Sequence, residues 1–139
     1  MFKKINFQFV LSYLGLFPFL VILLDYFFFK ILETNIVKDF LIFYSIIIFV
    51  FIGAVNWNLK KNISLIIVFI GFMPSLVSVL IIVMFLYSYE VINYLIILFI
   101  IQLILDNFIY KEKNDRPIFY KLRIPLTFTI LSCLIFIQL

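Results

Sequence analysis

The chain has 139 residues, of which 67% are apolar and 13% are charged, and its mean hydropathy is +1.29. So few polar groups cannot cover the apolar surface of a soluble domain, which excludes a soluble globular enzyme, a disordered tail and a disulfide-rich secreted module. The net charge of +4 comes from basic residues that flank apolar runs, a pattern typical of membrane topology signals rather than of nucleic-acid binding. We therefore expect an all-α integral membrane protein whose main partner is the lipid bilayer.

Five apolar runs predict a bundle of five transmembrane helices in a single domain. With the roughly 20 residues that a helix needs to cross the hydrocarbon core, the expected spans are 5–24, 40–59, 63–87, 91–110 and 118–139. The first run is too long for a signal peptide and no small-residue cleavage site follows it, so it is interpreted as a retained span. Segment 25–39 is expected to be a solvated loop. A four-span arrangement without the last run stays open.

The basic residues predict the orientation of the bundle. Nine of the eleven lie before the first run, between the second and third, or between the fourth and the last apolar run, which begins at Ile124: Lys3, Lys4, Lys60, Lys61, Lys111, Lys113, Arg116, Lys121 and Arg123. Lys30 and Lys38 lie on the opposite side. Because cytoplasmic loops are enriched in lysine and arginine, we expect the N-terminus inside and the C-terminus outside.

Polar residues near the basic ends of three spans are candidates for one cluster. Its expected members are Asn56, Trp57, Gln102, Asp106, Arg123 and Thr127. Gln102 and Asp106 are four residues apart and share a helix face. Because a buried carboxylate needs a cationic partner, we expect an ion pair between Asp106 and Arg123 that closes the last helical hairpin. Two interpretations remain open, a structural staple with interfacial anchors or a polar pocket for an anionic group.

Small residues and prolines inside the runs predict bends and close helix contacts. These packing candidates are Gly15, Pro18, Gly53, Gly71, Pro74, Ser75 and Pro125. Each proline removes a backbone hydrogen bond, and Gly71 with Ser75 allows another helix to approach closely. Near Pro125 we expect a kinked helix whose first turns, including Phe119 and Leu122, face lipid.

Several motifs resemble, in order and spacing, the domain of unknown function 3429 family, which includes the mitochondrial transmembrane protein 69. They are Leu14-Gly15-Leu16-Phe17-Pro18-Phe19, Phe51-Ile52-Gly53-Ala54-Val55-Asn56-Trp57, Met73-Pro74-Ser75-Leu76, and Asp106 with Leu122-Arg123-Ile124-Pro125-Leu126-Thr127. The resemblance covers nearly the whole chain and implies a small multi-pass protein of alphaproteobacterial-type and mitochondrial membranes, without an established activity. The family often has His-Trp-Gly where this chain has Asn56-Trp57-Asn58, so no histidine role carries over. We expect localisation in a bacterial inner (plasma) membrane.

Chemically reactive groups are sparse in the sequence. There is no histidine, the only cysteine is Cys133, and neither a phosphate-binding glycine loop nor a metal-ligand cluster is present, so no catalytic, cofactor-binding or metal-binding residues are expected. The favoured function is a non-enzymatic scaffold or accessory subunit that binds other membrane subunits or a second copy of itself. The alternative is a small transporter or carrier of a lipid or anionic metabolite. A membrane enzyme with Asp106 as base ranks last, because Arg123 is expected to occupy that carboxylate.

Overall fold

A computed structural model describes residues 7–56, 64–111 and 116–138, with side chains from Val10 onward. Within these ranges the chain is helical and has no strand. Five helical stretches are long and apolar enough to cross a membrane: Val10–Phe29, Thr34–Val55, Leu65–Leu86, Ile92–Ile109 and Arg116–Phe136. The predicted all-α bundle of five spans is confirmed. Its orientation across the membrane stays a prediction.

Two of the five spans are composite. The first consists of α1 (Phe7–Leu14), α2 (Phe17–Leu24) and a π-helical turn (Asp25–Phe29). The next three are single helices, α3 (Thr34–Val55), α4 (Leu65–Leu86) and α5 (Ile92–Ile109). The fifth contains α6 (Arg116–Ile118), a second π-helical turn (Phe119–Arg123) and α7 (Ile124–Phe136). The last three expected spans agree with these bounds to within a few residues, and the predicted ends at residues 5, 59, 63 and 139 lie outside the described residues.

The connection between the first two spans is shorter than the sequence indicates. The first span continues through Asp25 to Phe29, and α3 begins at Thr34, so the solvated loop expected over residues 25–39 was wrong. Asp25 is 8% exposed, and its two carboxylate oxygens accept hydrogen bonds from the backbone N–H groups of Ile31 at 3.2 Å and Leu32 at 3.0 Å. The carboxylate therefore lies at the end of the first span, where backbone N–H groups stabilise its charge, and not in a solvated loop.

The bend predicted at Pro18 is present as a break between α1 and α2. Pro18 is in the first turn of α2, where its missing N–H has no helical acceptor to lose. At the break, the carbonyl oxygen of Gly15 accepts a hydrogen bond from the Tyr44 hydroxyl at 2.7 Å. A side chain of α3 thus satisfies a backbone group that the interrupted helix leaves available, as the hydrocarbon environment requires.

We expect Tyr44→Phe to lower the free energy of unfolding by about 0.5–1.5 kcal/mol, because it removes this hydrogen bond and leaves the Gly15 carbonyl unpaired. The phenylalanine ring keeps the edge contact with Phe19, whose ring centroid lies 5.0 Å away. Reversible unfolding in mixed detergent micelles measures the change. The control is Tyr94→Phe on the exposed face of α5, and equal effects of the two variants would contradict the role of the bond.

Pro125 shapes the fifth span in a similar way. Because a proline has no N–H and its ring displaces the carbonyl four residues earlier, the carbonyl of Lys121 cannot keep its usual helical partner. The preceding turn widens into a π-helix, in which Ile124 N–H donates to the Phe119 carbonyl. The hydroxyl of Tyr13 donates to the Lys121 carbonyl and so joins α1 to this turn. Phe119, expected to face lipid, is buried here, so that expectation was wrong.

The most extensive helix contact joins α3 to α4. A Cβ atom on Gly53 would lie 2.7 Å from the Gly71 carbonyl oxygen and 2.7 Å from Cγ of Pro74, so the α3 backbone lies directly against α4. Gly71, Pro74 and Ser78 form the buried row of α4, while Ser75 is half-buried beside it. The close helix contact predicted at Gly71 therefore exists. Gly53 of α3 packs there against Gly71 and Pro74 of α4.

The centre of the bundle is filled by large apolar side chains from four spans. The largest fully buried ones include Phe19, Leu41, Leu95, Phe99, Ile130 and Leu134. Helix α3 contacts α4, α5 and α7 and is therefore the central element. This position brings its last turn close to the ends of α5 and of the fifth span, where the polar residues lie.

Candidate functional site

Three spans bring polar side chains together at one end of the bundle. At this end α3 and α5 finish and α6 begins. It carries the exposed or half-exposed cations Lys111, Arg116 and Lys121 among the described residues, and we call it the basic end. The connection 112–115 and the predicted cluster member Trp57 lie outside the described residues.

The Asp106 carboxylate is the centre of this arrangement. The residue is 1% exposed. Its Oδ1 accepts hydrogen bonds from Gln102 Nε2 at 2.9 Å and from Asn56 Nδ2 at 3.3 Å. Its Oδ2 lies 3.5 Å from Nε of Arg123. The ion pair predicted from the sequence is therefore confirmed, and two amides from different helices complete the surroundings of the carboxylate.

The Arg123 guanidinium is equally enclosed, with the residue 4% exposed. Its Nη2 donates to the Ile52 carbonyl at 3.3 Å and to the Tyr110 hydroxyl oxygen at 3.1 Å. Ile52 lies in the last turn of α3, where carbonyl groups lack helical donors and carry the negative end of the helix dipole. The cation thus neutralises both a buried carboxylate and a helix C-terminus.

Tyr110 belongs to this network and was missed by the sequence analysis. Its hydroxyl donates to Asn56 Oδ1 at 3.0 Å while accepting from Arg123. Gln102, Asp106 and Tyr110 recur at every fourth position of the sequence, which places them on one helix face and is the signal that identifies the tyrosine. A tyrosine near a span end was otherwise indistinguishable from an ordinary interfacial aromatic residue.

We call the five interacting residues the polar cluster: Asn56, Gln102, Asp106, Tyr110 and Arg123. Thr127, also predicted to join, is buried one turn beyond Arg123, but no hydrogen bond among the described residues connects it to the cluster. The opposite charges of Asp106 and Arg123 compensate each other, and the amide and hydroxyl groups satisfy most of the remaining bonding capacity. Physically, the polar cluster ties α3, α5 and the fifth span together.

An apolar groove adjoins the polar cluster. It has a volume of about 290 Å³ and lies between α1, α3 and the fifth span. Its walls include Leu11, Gly15, Ile48, Phe51, Leu122 and Leu126. Among the cluster residues, Arg123 alone contributes to the described lining, and the rest of the wall is almost entirely aliphatic or aromatic.

A family model described as "Protein of unknown function (DUF3429)" matches residues 6–139. The chain belongs to this family. The match includes every residue of the polar cluster and both helices of the Gly53 contact, and the five apolar spans make this member of the family a multi-pass membrane protein. No curated protein and no solved structure matches the chain.

Proposed function

We propose that this DUF3429 protein is a non-enzymatic scaffold or accessory subunit of a bacterial inner (plasma) membrane, acting without a cofactor. Its partners would be other membrane subunits or a second copy of the chain. The observation that supports this role is the closed polar cluster, in which the buried charges of Asp106 and Arg123 bind each other and hold three spans together.

The alternative of a transporter or carrier requires reachable polar groups. Ionisable residues that serve transport line a water-filled cavity or pathway inside the membrane. Here the Asp106 carboxylate is enclosed by Asn56, Gln102 and Arg123, and the cavity beside Arg123 is apolar. A carrier role, in which Arg123 would bind an anionic headgroup, therefore has less support than a structural role for this residue.

Helix α4 offers the surface that such a scaffold needs. It is the most apolar of the five spans, with a mean hydropathy of 2.8, and its main neighbour is α3. Its outward face carries the exposed side chains Leu76, Val79, Leu80 and Val83. Because the Gly53 contact sets how close α4 lies to α3, that contact also sets where this face is presented.

Isolation of the tagged chain from its native membrane in mild detergent, with quantitative mass spectrometry, tests the proposal. We expect a membrane subunit or a second copy to co-purify at fixed stoichiometry with the wild-type chain. The Ala54→Leu variant, changed at an exposed position, should retain the same partner. We expect Gly53→Leu to lose that partner while remaining in the membrane, because the added side chain displaces α4. A partner-free monomer, or equal recovery from the two variants, would contradict the proposed role.

A further inference from the structure

We propose that the apolar groove binds one acyl chain of an anionic phospholipid, with the phosphate-bearing headgroup beside Lys121 and Arg116. The proposal concerns a lipid site and is independent of the scaffold role. It does not involve the polar cluster in headgroup binding, because the Arg123 guanidinium is already paired with the Asp106 carboxylate and donates hydrogen bonds to Tyr110 and to the Ile52 carbonyl.

The length of the groove fits one leaflet of a bilayer. Its α3 wall runs from Tyr44 to Val55, the last residue of the helix. At 1.5 Å per residue this is about 16 Å, close to half of the roughly 30 Å hydrocarbon core. The opposite wall, from Ile118 to Ile130, covers a similar depth. The groove therefore extends from the basic end to about the middle of the membrane, as one acyl chain does.

The shape of the groove also fits a single chain. Its volume of about 290 Å³ is near the lower limit of ordinary ligand pockets, too small for a complete two-chain phospholipid. Gly15 contributes depth because it has no side chain, and its carbonyl is already bonded to the Tyr44 hydroxyl. At Gly15 the wall therefore presents an apolar surface to the acyl chain, because the carbonyl group there already accepts a hydrogen bond.

Two cations of the fifth span, Lys121 and Arg116, lie at the basic end, to which the groove extends. Lys121 is exposed and directly precedes Leu122, which lines the groove. The Tyr13 hydroxyl holds the Lys121 carbonyl, so the lysine lies where α1 and the fifth span meet. Arg116 lies one turn earlier, with its guanidinium 5.7 Å from the centre of the Tyr120 ring and its Nη1 donating to Asn107 Oδ1 at 2.9 Å. Cations at the membrane surface attract anionic headgroups, which favours an anionic lipid over a zwitterionic one.

Quenching of tryptophan fluorescence by lipids with brominated chains tests this assignment. In a Trp57→Phe background, Phe51→Trp places the reporter on the groove, and Phe69→Trp on α4 is the matched control. Both phenylalanines are more than half exposed and lie four residues from the basic end of their helices. The protein is reconstituted in vesicles of phosphatidylglycerol and phosphatidylcholine in equal amounts, with the bromine on one lipid or the other. Val55→Trp serves as a second groove reporter.

We expect the groove reporter to prefer phosphatidylglycerol by about fivefold, the effect of one well-placed cation, and the α4 reporter to show no preference. Lys121→Gln with Arg116→Gln should abolish the preference at the groove. Equal preferences at the two reporters would overturn the proposal, because they would reflect general attraction to the basic end. A preference that survives loss of both cations would overturn the headgroup assignment. A groove reporter that neither brominated lipid quenches would overturn the lipid site itself, because a protein segment would then fill the groove.

Discussion

Asp106→Ala is expected to lower the free energy of unfolding by about 3–5 kcal/mol, because it leaves the buried Arg123 guanidinium without its charge partner. The variant also removes the acceptor of the Gln102 and Asn56 side-chain amides, which are then buried without that bond. Reversible unfolding in mixed detergent micelles measures the loss. The effect should exceed that of any hydrogen-bond deletion in the bundle, since charge and bonding are lost together.

Two further variants separate the ion pair from general effects of mutation. Lys121→Ala removes an exposed cation two residues before Arg123 and is expected to change stability by less than about 0.5 kcal/mol. The double variant Asp106→Leu with Arg123→Met replaces both charges by apolar groups, and we expect it to be more stable than Asp106→Ala alone. A strictly additive loss in the double variant, or an unchanged stability of Asp106→Ala, would show that the pair does not act as a unit.

Gly53→Leu is expected to cost about 3 kcal/mol or more, the upper part of the range for overpacked cores. Its Cβ alone would lie 2.7 Å from the Gly71 carbonyl oxygen and from the Pro74 ring, and neither group is the flexible end of a side chain. Helix α4 must therefore move away from α3. Hydrogen exchange should show faster exchange of the amides of α4 than in the wild-type protein.

Ala54→Leu is the matched control, because it creates the same side chain at the neighbouring residue of α3, adding three carbons where Gly53→Leu adds four. Its side chain is exposed, so we expect less than about 0.5 kcal/mol of change and unaltered exchange in α4. If the two leucine variants unfold alike, the contact between Gly53 and α4 is not what holds the helices together.

The sequence predicts those parts of the polar cluster that follow from the cost of burying an unpaired charge in the membrane. A carboxylate such as Asp106 inside a span demands a cation, and Arg123 was the basic residue at the same membrane depth. The positions of Asn56 and Gln102 followed from the shared leaflet. Tyr110 and the Ile52 carbonyl could not be found in this way, because a hydroxyl at a span end and a backbone group are also satisfied by water or headgroups.

The limits of the first two spans show what a charge pattern cannot indicate. Asp25 marks the end of an apolar run, yet it is buried because the backbone N–H groups of Ile31 and Leu32 bind its carboxylate. Lys38 and Asp39 lie within the early turns of α3 and not in a loop. Such local backbone contacts depend on the conformation of the turn, which hydropathy does not encode. The partner of Gly53 was similarly hidden, since spacing within α4 does not tell which helix lies against it.

The pairing of Asp106 with Arg123 has a consequence for biosynthesis. The ribosome completes α5 before it reaches the arginine, so a newly made α5 carries an isolated carboxylate, which costs about 2.5–3.5 kcal/mol at the centre of an inserted segment and less near its end. We therefore expect the translocation machinery to release the last two segments into lipid together, as a hairpin whose two buried charges compensate each other, and not one after the other.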